Sequence, residues 1–101
     1  MNVDLFIRRD ETDRCIEVRG EIDLATASQL EQALVEALRS WPTVTIDMAG
    51  VSFIDSSGIH ALIRAAACVQ PGGEIRLRRV PPAVERILKM AGVDELAPLY
   101  L

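Results

Sequence analysis

The segment Val44-Thr45-Ile46-Asp47-Met48-Ala49-Gly50-Val51-Ser52-Phe53-Ile54-Asp55-Ser56-Ser57-Gly58-Ile59 changes its hydrophobic period partway along. Val44, Ile46 and Met48 alternate with polar neighbours, which predicts a strand finishing near Asp47-Met48-Ala49-Gly50. Asp55-Ser56-Ser57-Gly58 then supplies the residue types that favour a helix N-cap. Behind it Ile59, Leu62, Ile63 and Ala66 recur at helical spacing and stop before Pro71-Gly72-Gly73. A strand that feeds a helix is the repeating unit of α/β sheets.

The same punctuation continues on both sides. Upstream, Val3, Leu5 and Ile7 alternate with Asp4, Phe6 and Arg8. The cluster Asp10-Glu11-Thr12-Asp13 reads as a turn, and Cys15–Glu21 alternates again, so the two strands should form an antiparallel hairpin. Thr26 and Gln29 have capping-box spacing. Ala27, Leu30, Leu34, Ala37 and Leu38 then share one stripe opposite Glu31, Gln32, Glu36 and Arg39, and Trp41-Pro42 ends the helix. Downstream, Ile75 and Leu77 alternate with Glu74, Arg76 and Arg78. Pro81-Pro82 opens a third helix with Val84, Ile87, Leu88 and Ala91 on one face and Gly92 at its C′ position. The apolar tail Leu96–Leu101 should be extended, with Pro98 keeping it off a central position. The order β-β-α-β-α-β-α, with a short last strand, predicts the α/β class: a mixed β-sheet of four to five strands with helices packed mainly on one face. Glu17, Arg19, Thr45, Asp47, Arg76 and Arg78 at alternate positions leave the other face largely to water.

The chain has 101 residues, half of them hydrophobic, and carries 11 Lys plus Arg against 15 Asp plus Glu, a net charge of −4. That is a single domain, residues 1–101, with enough apolar surface for a core. The acidic balance argues against nucleic acid or an anionic membrane as the main partner. No apolar run approaches the ~18 residues of a membrane span, and early charges interrupt any signal-peptide core, so a cytoplasmic protein is expected. Cys15, Cys68 and the lone His60 are too few for a tetrahedral zinc site; two reduced core cysteines are expected. Arg76, Arg78 and Arg79 read as an exposed strand face, since no aromatic residues interleave with them to stack on bases. Gly72-Gly73 is a turn signal and not a phosphate loop.

Asp55-Ser56-Ser57-Gly58 lies where a strand becomes a helix, at the carboxyl end of the sheet that α/β folds use for their sites. On one reading Asp55 or a serine merely caps the helix. On another, a hydroxyl of the first turn is open to a modifying enzyme, and the helix end accommodates a phosphate. Both can hold, one group capping while its neighbour is modified. The connection Gly20-Glu21-Ile22-Asp23-Leu24-Ala25-Thr26-Ala27 opens at the same end and can bring Asp23 toward Ser56. A phosphate there, of charge about −1.5 to −2, would be repelled by Asp23 and Asp55. His60 follows Ser56 by four residues and can share its helix face, which raises serine catalysis. The Gly-x-Ser-x-Gly elbow is absent, however, so His60 is expected at a solvent edge or an interface.

Gly20-Glu21-Ile22-Asp23-Leu24-Ala25-Thr26, Val44-Thr45-Ile46-Asp47 and Phe53-Ile54-Asp55-Ser56-Ser57-Gly58-Ile59, in this order and separation, resemble the STAS domain. More narrowly, they resemble the stand-alone bacterial anti-sigma-factor antagonists, over about Leu5 to Val93. The resemblance implies a partner switch and not an enzyme. Its unphosphorylated form binds an anti-sigma factor with GHKL-type serine kinase activity; phosphorylation releases it, and a PP2C-type phosphatase resets it. By position in the motif Ser56 is the acceptor, Ser57 is the local cap, and Asp23 matches the acidic residue beside the acceptor. The resemblance thus implies a partner-binding set of Asp23, Thr26, Asp55, Ser56, Ser57, Gly58 and His60. ATP belongs to the kinase, so no cofactor is expected. His60 stands where the family often has a small residue, and the chain ends earlier than members with a further C-terminal helix. The motif is shared by STAS subunits of ABC-type lipid transporters, which bind their ATPase constitutively; this is the alternative function, with a small serine hydrolase a more distant one.

Overall fold

The computed structural model describes residues 5–101. Its elements are β1 (Phe6–Asp10), β2 (Cys15–Ile22), α1 (Ala27–Ser40), β3 (Thr43–Ile54), α2 (Ser56–Ala66), β4 (Glu74–Arg78), α3 (Pro82–Met90), a 3-10 turn (Val93–Glu95) and β5 (Leu99–Tyr100). The strands form one sheet in the order β1-β2-β3-β4-β5. β1 is antiparallel to β2, and every other neighbouring pair is parallel, so the sheet is mixed as expected. Val3 and Asp4 of the first alternation lie outside the described residues. In the hairpin turn the Asp10 carboxylate accepts from the N–H groups of Thr12 and Asp13, at 3.0 and 3.2 Å.

One face of the sheet carries Ile16, Val18, Val44, Ile46, Ile75 and Leu77, all buried in one cluster with Leu30 and Leu34 of α1, Leu62 of α2 and Leu88 of α3. The α1 stripe is buried as its periodicity predicts. Two positions depart from expectation. Ile63 is 36% exposed, because α2 seats its narrow side, Gly58, Ala61, Leu62 and Ala65, against the sheet. Ala91 is exposed because it is the C-cap of α3, already past the last buried turn; Gly92 follows at φ 80°, the left-handed stop expected there. The capping box also fails to form. The Thr26 hydroxyl donates to the Glu21 carbonyl at 2.7 Å, while Gln29 Oε1 accepts from the Leu5 N–H at 3.3 Å and ties the start of the hairpin to α1.

β3 does not finish near Gly50 but runs on to Ile54, 12 residues in all. Its pairing with β2 slips twice, between Glu17 and Arg19 and between Gly20 and Glu21, each time inserting one extra residue into β3. The inward positions are therefore Val44, Ile46, Met48, Val51 and Ile54. The spacing of two becomes three at each bulge, which hid the second half of the strand from its periodicity. At the first bulge the Arg19 side chain crosses Gly50, where a Cβ would lie 2.6 Å from Arg19 Cγ. β4 ends with Arg78 opposite Asp47, so the last part of β3 pairs with β2 alone. This two-stranded extension carries the loops that follow β2 and β3.

The other face is charged, as alternation predicts, yet it is not simply wet. Asp47 is 6% exposed. Arg79 grips its carboxylate through two nitrogens, Nε at 3.2 Å from Oδ1 and Nη2 on Oδ2, and Arg78 Nη2 lies 3.8 Å from Oδ2. Arg79 reaches back from a left-handed backbone, φ 54°. Its hydrogen bond holds the Asp47 carboxyl below the usual carboxylate range. Cys15 is buried and free as expected, on this face of the sheet with Arg78 Nη2 3.5 Å from its sulfur. Burial pushes its thiol up. Cys68 is exposed just past α2, not in the core, because the helix stripe has ended by then; both cysteines are free. No helix among the described residues is long and apolar enough to cross a membrane.

Candidate functional site

β2 and β3 end side by side. Ile22 pairs with Ile54, and the Asp55 N–H donates to the Ile22 carbonyl at 3.1 Å. Two loops leave from this step. In the first, Asp23 Oδ1 accepts from the N–H groups of Ala25 and Thr26, at 3.0 and 3.2 Å, and the Asp23 N–H donates to Thr26 Oγ1 at 3.0 Å. The turn is thus closed from both ends. Thr26 is 2% exposed inside it, while Leu24 stands 83% exposed at its tip.

In the second loop Asp55 adopts an extended backbone, φ −118° and ψ −171°, and its Oδ1 accepts from the N–H groups of Ser57 at 2.8 Å and Gly58 at 3.3 Å. Asp55 is therefore the cap, and Ser57 is not. A cap must precede the first helical residue, which is Ser56; Ser57 already lies within the turn that needs capping. With Asp55 in that role, Ser56 is left exposed on the first turn and Ser57 half-buried. Gly58 is buried against the strand ends. A Cβ there would lie 2.6 Å from Ile22 Cγ2 and 2.7 Å from Ile54 Cγ1, so the missing side chain lets α2 sit directly on β2 and β3.

The fold thus brings Asp23, Asp55 and Ser56 to one end of the sheet, as their positions after neighbouring parallel strands predict. His60 is exposed one turn further along α2. Thr26 and Gly58 lie beneath this surface and fix the two loops from inside. Leu24 is the residue that sequence reasoning missed. Its one signal is an apolar side chain at a turn position outside the α1 stripe. Chemically, the end of α2 offers an exposed hydroxyl at the positive end of a helix dipole, with carboxylates on both loops.

A family model described as "Mlab, STAS domain" matches residues 6–99. An anti-sigma F factor antagonist of Paenibacillus polymyxa is 27% identical, with the alignment covering 99% of this chain and 88% of the relative. The crystal structure of an anti-sigma factor antagonist from Mycobacterium paratuberculosis superposes with a TM-score of 0.75 at 27% identity, over 98% of this chain and 86% of that one. The Bacillus cell fate determinant SpoIIAA in its phosphorylated form shares the fold, with a TM-score of 0.64 at 18% identity over 96% and 91% of the two chains. With its mixed sheet, its Asp55-capped helix and a family match over nearly all its length, the chain belongs to the STAS domain family.

Proposed function

We propose that this chain is an anti-sigma-factor antagonist working as a phosphorylation-controlled partner switch. With Ser56 unmodified it binds an anti-sigma factor that has GHKL-type serine kinase activity; phosphorylation of Ser56 releases it, and a PP2C-type phosphatase resets it. It acts by binding, as one domain in the cytoplasm, and carries no cofactor. The observation that carries this reading is the exposed Ser56 on the first turn of a helix whose cap is already provided by Asp55. A hydroxyl not needed for capping is available to an enzyme. Relatives named as anti-sigma factor antagonists support the partner class, and a phosphorylated protein of the same fold supports the modification.

Asp23, Leu24, Ser56, Ser57 and His60 form the contact surface, and Thr26, Asp55 and Gly58 hold it in shape. A phosphate in that contact must be desolvated beside Asp23 and Asp55. A loss of ~3–4 kcal/mol weakens binding a few hundredfold, enough to exchange partners. The test is affinity capture from the lysate of the source organism, with wild type and Ser56→Glu as parallel baits. An ATP-binding kinase retained by wild type and lost by Ser56→Glu is the expected result. A transporter ATPase captured equally by both would replace this reading with the constitutive clamp. A serine labelled by a fluorophosphonate probe in wild type but not in Ser56→Ala would replace it with a hydrolase.

A further inference from the structure

The N-terminal half of α2 presents Ser56 and His60 on its exposed side, while Gly58, Ile59, Ala61 and Leu62 are buried. Residues four apart on a helix lie about 40° apart around the axis and about 6 Å along it, and their side chains meet. Every Cα–Cβ bond also tilts toward the helix N-terminus, so that of His60 is directed toward the turn that carries Ser56. His60 is the chain's one histidine, and its ring N–H can donate to a phosphate oxygen. A serine phosphate loses its second proton near pH 6.

The charged groups of the surrounding elements sharpen the assignment. Arg64, the other basic residue of α2, is one turn further on and is held by Glu31 of α1 at 2.7 Å. The Asp55 carboxylate caps the helix, and Asp23 lies across the strand pair. Within α2 itself, His60 is therefore the unpaired cation-forming group one turn from Ser56. We propose that His60 is a positioning residue for the phosphorylated state, holding the Ser56 phosphate back against α2 through an imidazolium–phosphate pair. This rests on the reading of Ser56 as the acceptor. It adds a residue that engages the phosphate after transfer and has no part in accepting it.

The experiment uses the full chain with phosphoserine genetically encoded at position 56, so it needs no kinase and is unaffected if Ser56 is not the cellular acceptor. The phosphorus resonance is titrated by nuclear magnetic resonance in wild type, His60→Gln and Arg64→Gln, each first shown to fold by its thermal midpoint. An imidazolium about 5 Å away lowers the phosphate's second midpoint by about half a pH unit, so His60→Gln raises it by that amount. The comparison between variants is the readout. Arg64→Gln should leave the midpoint unchanged. Equal midpoints in wild type and His60→Gln, or an equal rise in Arg64→Gln, would overturn the proposal.

Discussion

Asp55 and Gly58 show how single residues set the exposed end of α2. Asp55 satisfies two N–H groups of the first turn, so Asp55→Ala should cost about 1 kcal/mol, a fall of about 4–8 °C in thermal midpoint. Ser57→Ala should shift the midpoint by less than about 3 °C, because Ser57 donates its backbone N–H to the cap and does not supply it. A larger effect from Ser57 than from Asp55 would reverse the assignment of the cap. Gly58→Ala acts by another route. Its new Cβ would meet Ile22 and Ile54 at 2.6 and 2.7 Å, and neither side chain has room to retreat inside the core. Overpacking of this kind costs about 1–3 kcal/mol, and it should also weaken partner capture by lifting Ser56 off the strand ends. Calorimetry on the three variants separates the two routes.

At the scale of elements, the charged face of the sheet stabilises β3 in a pH-dependent way. Arg79 holds the Asp47 carboxyl below its ordinary value, and Asp47 in turn accepts from the Ala49 N–H at 3.1 Å, where the first bulge begins. A depressed folded-state value means that the stabilisation is complete above the unfolded value of about 3.9 and is lost as the pH falls through the folded one. Asp47→Asn should therefore lower the urea midpoint by roughly 0.5 M at pH 7, and the gap to wild type should close below about pH 4. A gap that stays constant down to pH 2 would remove the ion pair from the account. The same strand explains what the sequence could reveal and what it could not. Ile16 and Val18, Val44 and Ile46, and Ile75 and Leu77 follow a period of two that survives into the sheet. Beyond Met48 two bulges break that period, and no local signal fixes how many residues a partner strand will skip. Asp55-Ser56-Ser57-Gly58 was legible because capping is local chemistry. The burial of Thr26 and the exposure of Leu24 and Cys68 depend on which surfaces the fold brings together.

The whole molecule has a direction along its strands, with distinct ends. Parallel β2, β3 and β4 all begin at one end, where the Thr45 N–H donates to the Arg14 carbonyl at 3.3 Å and the Glu74 N–H to the Pro42 carbonyl at 3.2 Å. The Asp23 and Asp55 loops lie at the other end, on the extension that β2 and β3 form beyond β4. A partner seated on Leu24, Ser56 and His60 must therefore cover one end of the molecule and leave the opposite turns free. Hydrogen exchange with the captured anti-sigma factor at saturation should slow by at least about tenfold at residues 23–26 and 56–60. Exchange at residues 11–14 and 70–73 should stay within about twofold of the free chain, since those turns face away. Phosphoserine at position 56 should abolish the protection at both loops together, because the Asp55 N–H bond to Ile22 joins them into one surface. Protection centred instead on Arg8, Glu17, Thr45 and Arg76 would place the partner on the charged sheet face, where a phosphate on Ser56 would have no means of displacing it.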